Sequence, residues 1–444
     1  MPRTRPDGKK TQIVVVGGGA GGLELVTKLG GHFPREDFDI ILVDRNATHI
    51  WKPLLHEVAA GSLDANLDEV GYRGHAFRWG YRYFDGALEA IDREAQQVVI
   101  APIVDEDGGE VIGRHRIRYD YLVLAVGSVS NDFGTPGVRE NTISLDTRAD
   151  ADRFRRRLLN QCLRVSRQMT ADPSSEAFAR VAIVGGGATG VELAAELYSA
   201  ATALGFYGLE VFDEKRLQVT LIEAGPRILP ALPEKLAAAA TAELEALGVR
   251  VLTATQVTSA SADAINTKSG EVIAADIMVW AAGVKGAEFL KNIGGLETTR
   301  NNQLVVGSTL QTTLDDRIFA IGDCAYFVPE GSDGRPIPPR AQAAHQMATT
   351  AFYNIRAMIE GKPLRRFEYQ DKGSLVSLAR YTTVGSLMGN LVGGRMAIEG
   401  RLARLVYTSL YRMHLIAIHG WLKGVSLVLV GHVNQVVRPK LKLH

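Results

Sequence analysis

Residues 13–16 form a β-branched run that ends in the turn GGGAGG, after which Leu23, Leu25, Val26 and Leu29 recur at helical spacing. The pattern predicts a strand, a tight turn and a helix. The same order returns at residues 181–184, followed by GGGATG from Gly185 to Gly190 and then Val191, Leu193, Ala194, Ala195 and Leu197. A later strand accompanies each copy: YDYLVLAVGS from Tyr119 to Ser128, and ADIMVWAAGV from Ala275 to Val284. The repetition therefore spans whole domains. Residues 40–43 (IILV) and 219–222 (VTLI) read as buried strands flanked by helices, so the chain is expected to be α/β with largely parallel sheets. The arginine-rich stretch from Asp146 to Leu163 is expected to be a helix at the first domain crossing, and Gly205 to Gln218 an insertion in the second unit.

The glycines carry the first chemistry. In GxGxxG the first glycine makes the turn, the second lets backbone approach a pyrophosphate, and the third lets the helix pack on the strand. Gly17, Gly19 and Gly22 occupy those places, and the helix that follows points its amides and positive end at the phosphates. An acid about 20 positions on should bind a ribose hydroxyl, and Asp44 closes the strand IILVDRN where one is required. In the second copy Gly185, Gly187 and Gly190 take the same roles, and Glu223 ends VTLIEAG. That acid arrives late because the insertion lengthens the connection before the strand. A carboxylate at Glu223 disfavours the extra phosphate of NADPH, with Arg227 nearby to soften the discrimination, so NADH is the favoured nucleotide. One such turn is as well read as a plain strand end. Two copies, each in strand-turn-helix context and each with a terminal acid, point to two Rossmann-like dinucleotide-binding domains.

Composition removes several alternatives. The 444 residues fit two or three domains. With 50 basic against 49 acidic side chains there is no global field to draw the chain onto nucleic acid. Cys162 and Cys324, the only cysteines, are far apart, so neither a disulfide framework nor a thiolate metal site is expected. The histidines are scattered, without HExxH or clustered carboxylates, and no metal is expected. The first ten residues are polar and basic and read as a disordered start, and no segment reaches the roughly 18 uninterrupted apolar residues of a membrane span.

Further along, TLQTTLDDRIFAIGDCA from Thr309 to Ala325 resembles the second FAD motif of the two-dinucleotide-domain flavoprotein reductases. The resemblance places Asp323, with Gly322 before it, at the ribityl chain, and Gly127 and Gly283 where backbone passes close to FAD and to the nicotinamide nucleotide. Within that superfamily the segments HIWKPLLHEVAAGSLD, PPRAQAAHQMA, KGSLVSLARYTTVGSLMGN and RPKLKLH are similar to bacterial type II NADH dehydrogenases, single-subunit enzymes that pass electrons from NADH to quinone without pumping protons. The resemblance implies an FAD-binding domain in two parts, 11–150 and 301–370, an NADH-binding domain at 151–300, and a membrane-associating region at 371–444. It carries Lys52 over as a cofactor contact, Gln342 and Gln346 of AQAAHQ as residues lining the quinone tunnel, Lys372 as a residue bordering the quinone, and Glu192 as one that helps position nicotinamide and quinone. From the residues alone, Gln342 and Gln346 share a helix face through their i, i+4 spacing and fit a solvated surface equally well. Glu24 occupies the place of Glu192 in the first copy, which supports a partly structural role for both. His345 is either a proton donor or a structural histidine. Relatives that reduce disulfides or oxidise sulfide need paired cysteines beside the flavin, and this chain has none in sequence.

After Glu399 no acidic residue occurs, while Arg401, Arg404, Arg412, Lys423, Arg438, Lys440 and Lys442 add positive charge among Leu402, Leu405, Val406, Leu410, Tyr411, Leu415, Ile416, Ile418, Trp421 and Leu422. Such spacing suits one or two helices lying in an anionic lipid interface, and equally a stripe packed on the chain's own core or on a second subunit as a homodimer. The expected protein is a peripheral enzyme on the cytoplasmic face of a bacterial inner membrane. A soluble NADH-dependent flavin reductase and a redox-controlled binding module are the competing readings. Truncation after Glu399 separates them: the shortened chain should leave the membrane fraction and keep FAD, whereas an unchanged distribution counts against the anchor.

Overall fold

The computed structural model describes residues 9–204, 214–371, 373–378, 382–389, 394–399, 411–427 and 430. Residues 1–8 of the expected disordered start, 205–213 of the expected insertion, and Lys372 lie outside them. The chain makes two compact units: residues 1–51, 69–129 and 285–371 form the first, and residues 52–68, 130–284 and 372–444 the second.

The first sheet is built around β1 (Thr11–Val16), whose Ile13, Val14 and Val15 are wholly buried. Helix α1 (Ala20–His32) follows the turn, and its Leu23, Leu25, Val26 and Leu29 are fully buried. Strand β2 (Phe38–Asp44) runs parallel to β1. The chain lends α2 (Leu55–Ala60) to the second unit, then adds β3 (Arg82–Asp85) beside β2 and β4 (Tyr121–Leu124) on the far side of β1, both parallel.

In the second unit β5 (Ile143–Ser144) leads into α3 (Arg148–Ala171), longer than expected and started by a capping box between Thr147 and Asp150. Then come β6 (Ala179–Val184), α4 (Ala188–Leu204), β7 (Leu217–Ile222), α5 (Glu234–Ala246), β8 (Arg250–Leu252) and β9 (Ile277–Trp280). The sheet order is β5-β9-β6-β7-β8, with every neighbour parallel. Returning to the first unit, β10 (Gln311–Thr312) and β11 (Asp315–Ala320) complete the order β10-β11-β4-β1-β2-β3, and α6 (Ala341–Glu360) packs on α1.

The duplication is visible in the register. β4-β1-β2 in one sheet and β9-β6-β7 in the other place each glycine turn between two parallel neighbours, at the carboxyl ends where the strand order reverses and α/β sheets bind ligands. The likeness extends to a small antiparallel sheet in each unit, Leu88–Asp92, Gln97–Ile100 and His115–Arg118 in the first, Val257–Ala260, Ala264–Thr267 and Val272–Ala274 in the second.

The C-terminal region is not helical throughout. β12 (Gly373–Leu378), β13 (Thr382–Gly389) and β14 (Gly394–Glu399) form an antiparallel meander, and helix appears at 411–419 and 421–427. Residues 374–378 and 382–388, rich in Ser, Thr, Val and Leu, suit strands better than helices. In the two helical stretches His414, Leu415 and Ile418 are buried, whereas Met413, Trp421 and Leu422 are exposed at 50%, 69% and 78%. Among the described residues no helix is long and apolar enough to cross a membrane.

Candidate nucleotide and electron-transfer sites

In the first unit Gly17 has φ +102°, and a Cβ there would stand 2.4 Å from the Ala125 carbonyl oxygen; one on Gly22 would stand 1.8 Å from the oxygen of Gly17. Both positions exclude a side chain because strand β4 and helix α1 press against the turn. Gly19 differs, since a Cβ there would meet nothing within 4 Å. Its missing side chain leaves room for something other than protein. Between them Gly18 is the point of attachment: its amide donates to Asp44 Oδ2 at 2.6 Å, and its carbonyl accepts from the Tyr72 hydroxyl at 2.8 Å and lies 2.9 Å from His49 Nδ1. Asp44 Oδ1 accepts the Asn46 amide at 2.8 Å. Burial pushes the Asp44 carboxyl above its usual range, against these backbone donors. Sequence reasoning found Asp44 and missed Tyr72 and His49, whose link to the turn has no sequence spacing to betray it.

Two more glycines border this turn. Gly127 (φ +73°) has open space where a Cβ would project, and Gly322 (φ +71°) starts a short turn in which Asp323 Oδ2 accepts the Ser128 hydroxyl at 2.8 Å and Asp323 O accepts Gln303 Nε2 at 2.9 Å. The Ile321 amide bonds Leu124 O at 2.9 Å, so Asp323 is carried to the end of β4. An open Gly19, an open Gly127, a helix N-terminus and a carboxylate at each end make a cradle that suits a dinucleotide such as FAD.

Helix α6 adjoins the same turn: the Gly322 amide meets Met347 Sδ at 3.2 Å, and Gly21 lets Ala344 O approach to where a Cβ would be 3.2 Å away. Gln342 and Gln346, expected to offer amides to a quinone, hold backbone and carboxylate here. Gln342 Nε2 donates to Asp371 Oδ1 at 3.1 Å, and Gln346 grips Gln370 twice, Nε2 to its carbonyl and Oε1 from its amide, both at 2.9 Å. His345 turns to α1, its Nδ1 2.7 Å from Glu24 Oε2, while Lys28 Nζ meets Glu24 Oε1 at 2.7 Å. Burial works against the Glu24 anion, yet the His345 and Lys28 contacts hold its carboxyl below the usual range. His345 and Glu24 thus staple α6 to α1.

The second unit repeats the first turn. Gly185 (φ +116°) would place a Cβ 2.6 Å from the Ala281 backbone, Gly190 one 2.0 Å from Gly185 O, and Gly187 again meets nothing within 4 Å. Glu223 takes the part of Asp44, accepting the Gly186 amide at 2.7 Å and the Gly225 amide at 2.6 Å. Arg227, the residue weighed as an NADPH phosphate partner, donates to the carbonyls of Leu232 at 2.9 Å and Pro230 at 3.3 Å. Gly283 (φ +61°) lies under the exposed ring of Phe133, which a Cβ would meet at 2.6 Å. Buried Glu192 on α4 faces α2, with His56 Nδ1 3.5 Å from its Oε2. Burial pushes the His56 imidazole down to about 4, so it is neutral at pH 7. Lys52 pairs with Asp146 at 3.3 Å, and that carboxylate also accepts the Ser130 amide at 2.9 Å.

Both thiols are free and buried, and burial raises Cys162 to about 12 and Cys324 to about 11, so neither is a thiolate near neutrality. Among the described residues no His, Cys, Asp and Glu group could hold a metal ion.

Comparison with known proteins agrees with this geometry. Residues 11–348 match the pyridine nucleotide-disulphide oxidoreductase family. A type II NADH:quinone oxidoreductase of Haemophilus influenzae is 48% identical over 443 residues, covering 97% of this chain and 99% of that protein. One from Staphylococcus aureus is 29% identical over 394 residues, covering 87% and 92%. Among solved structures, NDH2 from Plasmodium falciparum in complex with NADH has a TM-score of 0.80 at 18% identity, covering 98% of this chain and all of that one (100%). The sulfide:quinone oxidoreductase from Aquifex aeolicus has a TM-score of 0.68 at 18% identity, covering 96% and 95%.

The buried His56 gives a pH signature. A histidine held neutral in the fold but free to protonate when unfolded makes the unfolded state bind more protons between its folded value, about 4, and the ordinary histidine value of about 6.5. Stability should therefore rise with pH across that window and level off above it. In urea titrations over a pH series His56→Gln should flatten this rise; an unchanged slope would remove His56 as its source.

Proposed function

The chain belongs to the type II NADH:quinone oxidoreductases, within the pyridine nucleotide-disulphide oxidoreductase family, and on that premise we propose that it oxidises NADH through FAD and reduces a membrane quinone, without pumping protons. The observation that carries the chemistry is the doubled turn: two open glycines, Gly19 and Gly187, each beside a carboxylate fixed to the neighbouring amide.

FAD, when bound, supplies the carrier that accepts hydride from NADH and passes two electrons to the acceptor. The protein's part is to bind, orient and exclude water. Gly17, Gly19, Gly22 and the start of α1 receive the FAD pyrophosphate, Asp44 meets the adenosine ribose, and Asp323, steadied by Ser128, meets the ribityl chain. Gly127 leaves backbone bare beside it. Gly185, Gly187 and Gly190 receive the NADH pyrophosphate and Glu223 its adenosine ribose. With Arg227 turned to backbone carbonyls, Glu223 is left to disfavour the added phosphate of NADPH.

Glu192, backed by a neutral His56, is assigned to orient the nicotinamide and the acceptor, with Gly283 at the nicotinamide side. Gln342 and Gln346 serve the acceptor site by fixing Asp371 and Gln370 as part of its wall, and Lys372, the next residue, borders the quinone. Lys52 is assigned as a cofactor contact, its ammonium paired with Asp146, whose carboxylate also accepts the Ser130 amide. Disulfide exchange finds no support in two separate buried thiols. Lodging on the cytoplasmic face of a bacterial inner membrane fits the acid-free tail and the exposed Trp421 and Leu422.

The test is anaerobic. NADH should bleach the flavin absorbance of the purified protein, and a short-chain quinone added afterwards should restore it at once. Flavin that stays reduced in the presence of quinone would overturn the assignment of the acceptor.

A further inference from the structure

Helix α3 has a face that the site chemistry does not use. Its inward side is set by Ala151, Phe154, Leu158, Cys162 and Val165, all buried, and it packs on α2 within the second unit. At about 100° per residue, Arg153, Arg156, Arg157, Arg164 and Arg167 fall within an arc of about 100° on the opposite side, along about 21 Å of helix. All five are exposed. From Arg153 to Ala171 the helix carries no acidic residue; its two acids, Asp150 and Asp152, lie within its first five residues. Asp150 pairs with Arg153 at 3.3 Å, and Asp152 with Arg148 at 3.4 Å and the buried Arg155 at 3.0 Å. Arg164 reaches only the neutral Gln161, at 3.3 Å, and Arg156, Arg157, Arg164 and Arg167 have no carboxylate partner among the described residues.

Four uncompensated guanidinium groups in one row repel one another, and the capping box and buried apolar side hold them in place. An opposing surface that spreads negative charge over the length of the row relieves that repulsion. Leu163, 47% exposed, sits at the edge of the arginine arc, and arginine stems are themselves apolar, so the face can settle against headgroups with carbon below and guanidinium at the phosphates. The row carries no aromatic side chain for stacking on bases, and the chain as a whole, with 50 basic and 49 acidic residues, has no long-range pull on nucleic acid.

We propose that this face of α3 is a second docking surface for an anionic lipid bilayer, separate from the C-terminal tail. The proposal deepens, and rests on, the reading that the electron acceptor is a lipid-soluble quinone. A flat, charge-reading contact on α3 would add to a C-terminal anchor and limit how the enzyme can turn on the membrane.

The experiment uses the full FAD-loaded chain and flotation with vesicles of phosphatidylcholine alone or mixed with phosphatidylglycerol. Each charge removed near an anionic surface lowers partitioning about fivefold, so Arg156→Gln, Arg157→Gln, Arg164→Gln and Arg167→Gln combined should weaken binding to the anionic vesicles by roughly several hundredfold. Binding to phosphatidylcholine should not change, and neither should flavin content or NADH turnover with a short-chain quinone in solution. The matching set of four lysines should keep most of the binding, because the bilayer reads charge and not guanidinium shape, and salt should weaken the parent more steeply than the glutamine variant, which keeps only the charges of the tail.

Unchanged flotation of the glutamine variant, equal loss on both vesicle types, or lysines failing to rescue would overturn the lipid surface. So would a parent protein that prefers an acidic polypeptide or a DNA duplex over the vesicles in direct competition. A parent that binds vesicles through α3 but leaves quinone unreduced would instead sink the acceptor assignment alone.

Discussion

Each unit hangs on a single kind of contact, a strand-end carboxylate that accepts a hydrogen bond from the amide of the residue after the first glycine of the turn. Asp44 does this for Gly18 and Glu223 for Gly186, at 2.6 and 2.7 Å. A hydrogen bond to a charged acceptor contributes about 1.5–3 kcal/mol, and here it also sets direction. With the middle of the turn held back against the strand end, the third glycine can close on the first, and the bare position between them faces outward. The acid expected to read a ribose therefore has an earlier duty, which is to shape the loop before any nucleotide arrives. Burial disfavours the charge on Asp44, and the backbone donors around it offset that cost.

The same economy of contacts recurs where helices meet. Glu24 and Glu192 sit at corresponding places after the two turns, both buried, and each is answered by a histidine from a distant stretch of chain: His345 for the first, His56 for the second. The two answers differ in charge logic. Glu24, with Lys28 and His345 in contact, is held as an anion, whereas His56 is so deeply buried that it stays neutral beside Glu192. One pair is a staple between α1 and α6; the other leaves a carboxyl group beside a neutral ring.

Much of this was legible in the residues. Glycine spacing, the apolar runs of β1 and β6, and the terminal acids announce strand, turn and helix because each feature is local and its physics is short-ranged. The small antiparallel sheets after β3 and β8 were not, since their strands are short and partly exposed and give weak alternation. Nor was the meander of β12–β14, hidden in a region whose later positive charges drew attention to helices. The glutamines show the limit most clearly. Gln342 and Gln346 share a face, as their spacing requires, but what that face meets is Gln370 and Asp371, and an i, i+4 pattern does not name its partner. Tyr72 and His49 on Gly18, and His345 on Glu24, were invisible for the same reason.

The central claim is that the two turns hold different nucleotides in series, FAD at Gly19 and NADH at Gly187. It is tested most directly by filling each open position with a valine, whose Cβ would meet no protein atom within 4 Å. Absorbance spectra of the purified Gly19→Val and Gly187→Val chains, before and after NADH and then dithionite, give the answer. The account predicts a folded but colourless Gly19→Val, and a yellow Gly187→Val that dithionite bleaches and NADH does not. A Gly187→Val protein reduced by NADH as readily as its parent, or a Gly19→Val protein that keeps its flavin, would contradict it.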